Sequence, residues 1–305
     1  MTPNGLIALG LLGIAVPAVP GIAVKTKSLL TGRRGPPVLQ LYADIGKLIR
    51  KGRVYSRTTT AIFRAGPVVA LVSLIVAALF LPLDGRAAPA RFAGDMVAFA
   101  GLLALGRFAL VLAAMDTGSS FEGLGASREV TIVSFAEPTM FLCFIALVLA
   151  AGDLSLSGML GTPLAAAWSR TGGGASLSLV GVSLFVLLLA ENSRVPVDDP
   201  ATHLELTMIH EVIVLDHGGP DLALILYGSA LKLTLFGVLV VSVLVPRAGL
   251  SGPAALALLF VGLGVVAVAV GVVESVMARV RLVRVPQLLV GAAALALVAT
   301  ILQLR

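Results

Sequence analysis

The sequence predicts an all-α membrane protein of about eight transmembrane helices, with an amphipathic interfacial helix in the first cytoplasmic loop. Three observations carry this. The 305 residues are 58% hydrophobic and only 12% charged, with a mean hydropathy of +1.04, and a soluble domain could not cover itself with so few polar groups. Eight apolar runs stand out, at about 5–24, 67–83, 94–115, 131–151, 176–190, 222–245, 254–276 and 285–303, and about 20 apolar residues span the hydrocarbon core as a helix. No ten-residue alternating segments of a membrane barrel are visible, so backbone groups must be satisfied within helices. Residues 1–305 read as a single polytopic membrane domain.

The first run, within MTPNGLIALGLLG and its continuation, has basic residues after it rather than before. It therefore reads as a retained helix and not a signal peptide. The fifth run is short and needs turns from its flanks. The lone cysteine, Cys143, lies inside an apolar run, which leaves no internal disulfide and no thiolate set for an iron–sulfur or zinc centre. No stretch reads as a nucleic-acid interface.

Lysine and arginine set the expected orientation. Lys25, Lys27, Arg33, Arg34, Lys47, Arg50, Lys51, Arg53, Arg57 and Arg64 fall between the first two runs, against the single acid Asp44. Arg279, Arg281 and Arg284 follow the seventh run, and with Arg128 and Arg194 this side collects 15 of the 22 basic residues. That side is expected to be cytoplasmic, which places both termini outside, in a prokaryotic plasma membrane. Within the first loop, Gln40, Asp44, Lys47 and Lys51 share one helical side and Leu41, Ile45 and Leu48 another. Such a helix lies on the bilayer surface. It can anchor on anionic lipid or dock another subunit, and Gln40, Asp44, Lys47, Arg50, Lys51 and Arg53, with Arg128 and Arg194, are the expected docking residues.

The stretch from Ala190 to Gly219 breaks the apolar pattern. It gathers Glu191, Asp198, Asp199, Glu205, Glu211 and Asp216 with all three histidines, His203, His210 and His217. Asp199-Pro200 suits a helix start, and a helix over about 200–216 would align the histidines. Their seven-residue spacing is about 10 Å of rise, too far for shared metal ligation, so no metal site is expected. Glu137 lies in the fourth run beside Pro138. An acid at that depth is costly and reads as functional; the alternative is a structural pair with Arg107 or Lys232. Glu137, Glu191, Asp198, Asp199, Glu205, Glu211 and Lys232 are the candidate proton-coupling residues. Glu274, late in the seventh run, is a weaker one.

Three segments resemble a known family. AENSRVPVDDPATHLEL is similar to the third long cytoplasmic segment of respiratory complex I subunit 1, with Glu191, Arg194, Pro196, Asp198, Pro200, Glu205 and Leu206 matching position for position. LQLYADIGKLIRKG resembles an earlier segment through Gln40, Ala43, Asp44, Lys47, Leu48 and Lys51, and GSSFEGLGASREVTIVSFAEP resembles another through Gly125, Arg128, Ser134 and Glu137. The departures, at PVDDPATHLELTMIHE and RRGPPVLQ, look like the membrane subunit of group-four nickel–iron hydrogenases, of the formate hydrogenlyase subunit four and hydrogenase-four type.

This resemblance implies a non-redox subunit with no catalytic centre of its own. It would anchor a soluble hydrogenase-like arm on its cytoplasmic loops and couple electron transfer there to proton or sodium movement. Antiporter-like membrane subunits would continue the ion path. Iron–sulfur clusters, and in the hydrogenases a nickel–iron site, belong to the partners. A quinone-chamber subunit of an NADH:quinone oxidoreductase is the close alternative, but loss of several acids in the 190–205 motif weighs against a quinone site. A stand-alone secondary transporter is the alternative of another class; paired repeats, expected of many transporters, are not visible.

Overall fold

A computed structural model describes residues 3–170, 172–198, 209–247, 249–250 and 252–304. The described residues contain helices and no strand, and eight helical stretches are long and apolar enough to cross a membrane. In chain order the helices are α1 (Pro3–Ala15), α2 (Ala18–Leu30), α3 (Gln40–Ile49), α4 (Ala61–Ala78), α5 (Asp95–Asp116), α6 (Ser120–Ala151), α7 (Leu156–Met159), α8 (Thr162–Trp168), α9 (Gly173–Glu191), α10 (His210–Ile213), α11 (Gly219–Leu244), α12 (Pro253–Val276) and α13 (Val285–Gln303).

The first span consists of α1 and α2 together, broken at Pro17, whose ring cannot continue the ladder of bonds from the preceding turns. It runs to Leu30, beyond the apolar run, so Lys25 and Lys27 lie inside the helix rather than in the loop. Polar residues extend it because Lys27 reaches back to Glu274 of α12, at 3.9 Å. The fourth span begins at Ser120, eleven residues before its apolar run. Its 32 residues measure about 48 Å, longer than the roughly 30 Å hydrocarbon core, so its ends stand outside. α9 extends its short run by about a turn at the start and by Glu191 at the end, and covers 19 residues.

α11 is the axis of the bundle: 72% of its spanning window is buried, against 28% for α12 or α13. α4 and α9 pack on it, α5 lies against α4, and α13 sits between α6 and α9. Small residues allow the closest approaches. A Cβ at Gly271 of α12 would meet the Ala23 carbonyl at 2.5 Å, and one at Gly106 of α5 would meet the Ser73 hydroxyl at 2.5 Å. Lipid tails supply no hydrophobic drive between helices, so such backbone proximity and interhelical hydrogen bonds hold the spans together. Ser176 and Ser183 of α9 donate to the carbonyls of Ala299 and Ala292 in α13, at 3.0 and 2.9 Å.

The loops collect at two ends. At one end, Tyr55 and Arg53 of the first large loop meet Asp221 at the start of α11, at 2.7 and 3.6 Å. There too Asp116 accepts from the Thr60 and Phe63 amides and caps α4. At the opposite end, Arg247 donates to the carbonyls of Leu83 and Pro82, and Arg91 pairs with Asp153 at 2.9 Å. The basic loop and the acidic stretch therefore share one end of the bundle, as the charge pattern requires. α3 lies at that end as the expected amphipathic helix. It packs on α11 and α2, with Leu41, Ile45 and Leu48 half-buried and Tyr42, Lys47 and Ile49 exposed.

Candidate functional site

Four spans converge on one buried group of charges. Arg107 of α5 donates to Glu137 of α6 at 3.1 Å and to both oxygens of Glu191 at the end of α9, at 3.1 and 3.3 Å. Lys232 of α11 pairs with the same Glu191 carboxylate at 2.8 Å and donates to its carbonyl. The side chains of Glu191 and Arg107 are 4% and 8% exposed, while that of Glu137 is 37% exposed. The cluster thus runs from the core of the bundle to its rim, with Arg107 held between two acids. Glu137 is paired with Arg107, one of the two partners that its burial alone allowed; Lys232 goes to Glu191 instead.

A second group lies toward the loops. Arg194 pairs with Glu274 at 3.1 Å, and Lys27 approaches the same carboxylate. Arg194, expected to face a docking partner, is instead turned inward, because Glu274 is almost fully buried and needs a cation. Asp198 is buried, pairs with Arg279 at 3.0 Å and accepts from the Ile209 and His210 amides. It therefore ties the acidic stretch to the segment after α12, where Val280 also donates to the Pro196 carbonyl. Asp199, Glu205 and His203 lie outside the described residues.

The expected helix over about 200–216 is not continuous in its described part. α10 covers only His210–Ile213, and turns follow it. Consequently His210 and His217 do not share a stripe. His210 meets Ser229 of α11 through Nε2 at 3.2 Å, whereas His217 stacks on Phe63 of α4 with ring centroids 4.0 Å apart. Among the described residues no group of three or more His, Cys, Asp or Glu could hold a metal ion.

Two cavities flank His210. The inner one, about 50 Å³, is lined by Arg107, Glu129, Ser229 and Lys232; the outer one, about 210 Å³, by Arg194, Asp198, Glu211 and Ser229. His210, Ser229 and Ile225 line both. Burial holds the His210 imidazole below its ordinary value; Glu129 and Asp198 pull it upward, Lys232 and Arg194 downward. Arg107, Glu129 and His210 were not singled out as coupling residues from the sequence. The only signal for Arg107 and Glu129 was a charge within or beside an apolar run.

Of the expected docking residues, Lys47, Arg50, Lys51 and Arg53 are exposed at the loop end, and Arg128 is half-buried on α6. Gln40 is engaged within α3, donating to Asp44 at 2.9 Å. Arg53 is partly committed to Asp221.

His217 yields a pH expectation. The residue is 5% exposed, and neither ring nitrogen has a hydrogen-bond partner among the described residues. Burial lowers its pKa, with Asp221 and Asp216 opposing. In the unfolded chain the ring protonates near about 6.5. Packing of this segment on α4 is therefore fully stabilising above that value and weakens as pH falls toward the lower folded value. Amide exchange over 214–218, corrected for intrinsic rates, should quicken between about pH 7.5 and about pH 5.5, and His217→Phe should remove the difference. An unchanged pH response in that variant would assign the effect to other groups.

Comparisons with known proteins follow the same lines. The chain matches the family model described as NADH dehydrogenase over residues 4–304. It is 33% identical over 231 residues to hydrogenase-4 component C of Escherichia coli (strain K12), covering 75% of this chain and 71% of that protein. Formate hydrogenlyase subunit 4 of the same organism is 34% identical over 155 residues, about half of each chain (51% and 50%). NADH-ubiquinone oxidoreductase chain 1 of Arabidopsis thaliana is 29% identical over 216 residues, covering 66% of this chain and 65% of that one. The fold matches a chain of the membrane-bound sulfane sulfur reductase, an archaeal respiratory membrane complex, with a TM-score of 0.82, 20% identity and 98% coverage of both chains.

Proposed function

The chain belongs to the NADH dehydrogenase family, that of complex I subunit 1, and on that premise we propose that it is the membrane-anchoring and ion-coupling subunit of a hydrogenase-type redox complex. Its redox centres sit on partner subunits. The observation that carries the reading is the Glu137–Arg107–Glu191–Lys232 cluster. Ionisable groups inside a membrane bundle are expensive and are kept where charge must move. Here two cations and two acids come from four different spans, so a small displacement of any span changes which acid Arg107 holds. The outer cavity, with Asp198 and Glu211 on its wall, offers an approach from the loop end. The test is proton and sodium uptake by proteoliposomes holding the whole complex, measured beside hydrogen turnover. Turnover without uptake of either ion would overturn the coupling role.

The basic end faces the cytoplasm in this reading, because it holds most of the lysine and arginine. In a Cys143→Ser background, Ser56→Cys and Arg281→Cys should resist an impermeant thiol reagent in sealed cells, and Arg86→Cys should react. All three positions are exposed. Labelling of Ser56→Cys from outside would reverse the orientation.

The soluble arm docks on the exposed basic surface after α3. Arg53 is a poor probe, since it also serves Asp221 within the chain. Lys47→Glu with Arg50→Glu changes exposed charge and gives up only the surface pair of Lys47 with Asp44, at 3.9 Å. It should lower arm retention at physiological salt by about tenfold or more, the effect of ~1.4 kcal/mol, while this subunit stays in the membrane. Full retention would remove these residues from the docking surface.

A further inference from the structure

His210 occupies the boundary between the two cavities, and nothing in the family resemblance assigns it a role. The outer cavity, at about 210 Å³, and the inner one, at about 50 Å³, each exceed the roughly 10–15 Å³ that one water needs. Within mostly apolar linings each carries charged side chains that could bond water: Arg194, Asp198 and Glu211 in the outer cavity, Arg107, Glu129 and Lys232 in the inner one. Between them stand the His210 ring, the Ser229 hydroxyl 3.2 Å from its Nε2, and the apolar Ile225. His210 is anchored through its backbone, and its ring meets one neighbour through Nε2. Its backbone amide is 3.4 Å from Asp198, and its side chain is 3.2 Å from α11. Glu129 of α6 is buried, at 7% exposure, and faces the inner cavity.

We propose that His210 is the proton carrier between the two cavities, and that Glu129 is the group with which it exchanges protons on the inner side. The inference rests on the coupling reading above and deepens it. The transfer balances without any further reactant. One N–H bond forms on the imidazole as a proton arrives from water in one cavity. The N–H bond on the other nitrogen breaks as its proton leaves through the second cavity. The ring is then neutral again, as the other tautomer, and a half-turn restores it. On the inner side the proton adds to the Glu129 carboxylate, which passes it on toward the Arg107–Glu191 cluster. An imidazole suits this step because it carries a donor and an acceptor on opposite sides of one ring. The charged groups around it are Glu129, Lys232, Asp198 and Arg194, with Glu211 and Arg107 on the cavity walls.

The experiment uses the whole complex in proteoliposomes, with a pH-sensitive dye inside and hydrogen turnover measured in parallel. His210→Gly should lower protons taken up per hydrogen turned over by at least about tenfold, and free imidazole should restore a measurable part of it. Loss that imidazole does not restore would make His210 a structural residue and overturn the carrier role. So would normal stoichiometry in His210→Gly. If that variant fails to assemble, His210→Gln, which keeps a polar group toward Ser229, replaces it; normal stoichiometry there overturns the proposal, and a tenfold loss in the assembled complex supports it. Glu129→Gln should reproduce the loss without rescue by imidazole. An unsubstituted complex that moves no ion defeats the coupling reading itself. One that moves sodium but no protons defeats only the role of His210.

Discussion

Replacing Glu191 by leucine should destabilise the bundle by about 3–5 kcal/mol, the usual cost of removing one partner from a buried ion pair. Glu191 is 4% exposed at its side chain and neutralises both Arg107, at 3.1 Å, and Lys232, at 2.8 Å. Without it Lys232 has no acid within reach in the cluster, and Arg107 keeps only Glu137. Lys232→Met alone should cost less, because Glu191 retains Arg107. Combined with Glu191→Leu it should recover part of the loss, since no unpaired lysine remains and Arg107 and Glu137 are left as a pair. Residues in such a network are not additive, so the double-mutant cycle measures their coupling. Unfolding of the purified subunit in mixed micelles provides the measurement. A loss for Glu191→Leu below about 1 kcal/mol, typical of exposed pairs, would mean that water reaches the cluster freely.

Glu137→Gln should leave assembly intact and abolish ion uptake. Glu137 is the most exposed member of the cluster and makes one bond to Arg107 at 3.1 Å. Glutamine can still accept that bond, so the cost in stability should remain within about 1 kcal/mol. What is lost is the negative charge that competes with Glu191 for Arg107. Arg107 can move between the two acids only while both attract it, and glutamine offers no carboxylate at the rim to which a proton could add. Hydrogen chemistry at the arm with an artificial electron donor should continue, while the physiological coupled rate falls. Glu137→Asp should act partially, because it keeps the carboxylate but shortens its reach. Normal uptake stoichiometry in Glu137→Gln would leave the Arg107 contact as a structural pair and no more.

The two variants separate the roles in the cluster. Glu191 is the central anion that lets two cations reside inside the bundle, and its removal is a matter of stability. Glu137 is the rim acid that shares Arg107 with Glu191, and its removal is expected to act on transport. His210 and Glu129 line the cavity that Arg107 and Lys232 also line, so their substitution tests the proposed approach to the cluster rather than the cluster itself.

The spans were legible in the sequence because hydropathy is a local property. A helix in lipid satisfies its own backbone, so a run of apolar residues is enough to announce it, and each of the eight runs corresponds to a span, the first of them a helix broken at Pro17. The amphipathic α3 was legible for the same reason, its two faces being written in one ten-residue segment. Helix ends were less so. α2 continues to Leu30 because Lys27 has Glu274 to meet, and α4 begins at Ala61 because Thr60 caps the Ile62 amide while Asp116, from another helix, holds Thr60 and accepts from the Phe63 amide.

The partners of the buried charges belong to the tertiary structure alone. The sequence marked Glu137, Glu191 and Lys232 as costly, but it could not distinguish a relay from a pair. Arg107 lies 30 residues from Glu137 and 84 from Glu191, and Lys232 lies 41 from Glu191. No periodicity relates positions so far apart; only the packing of α5, α6, α9 and α11 brings them together. The same holds for Arg194, whose side chain looked free for a partner until Glu274, 80 residues away, was seen beside it. Composition determines that a chain must live in a membrane and where it crosses, because each crossing is decided residue by residue against lipid. Which charges neutralise one another is decided by how the crossings pack, because in a low dielectric a charge is stable only beside its opposite.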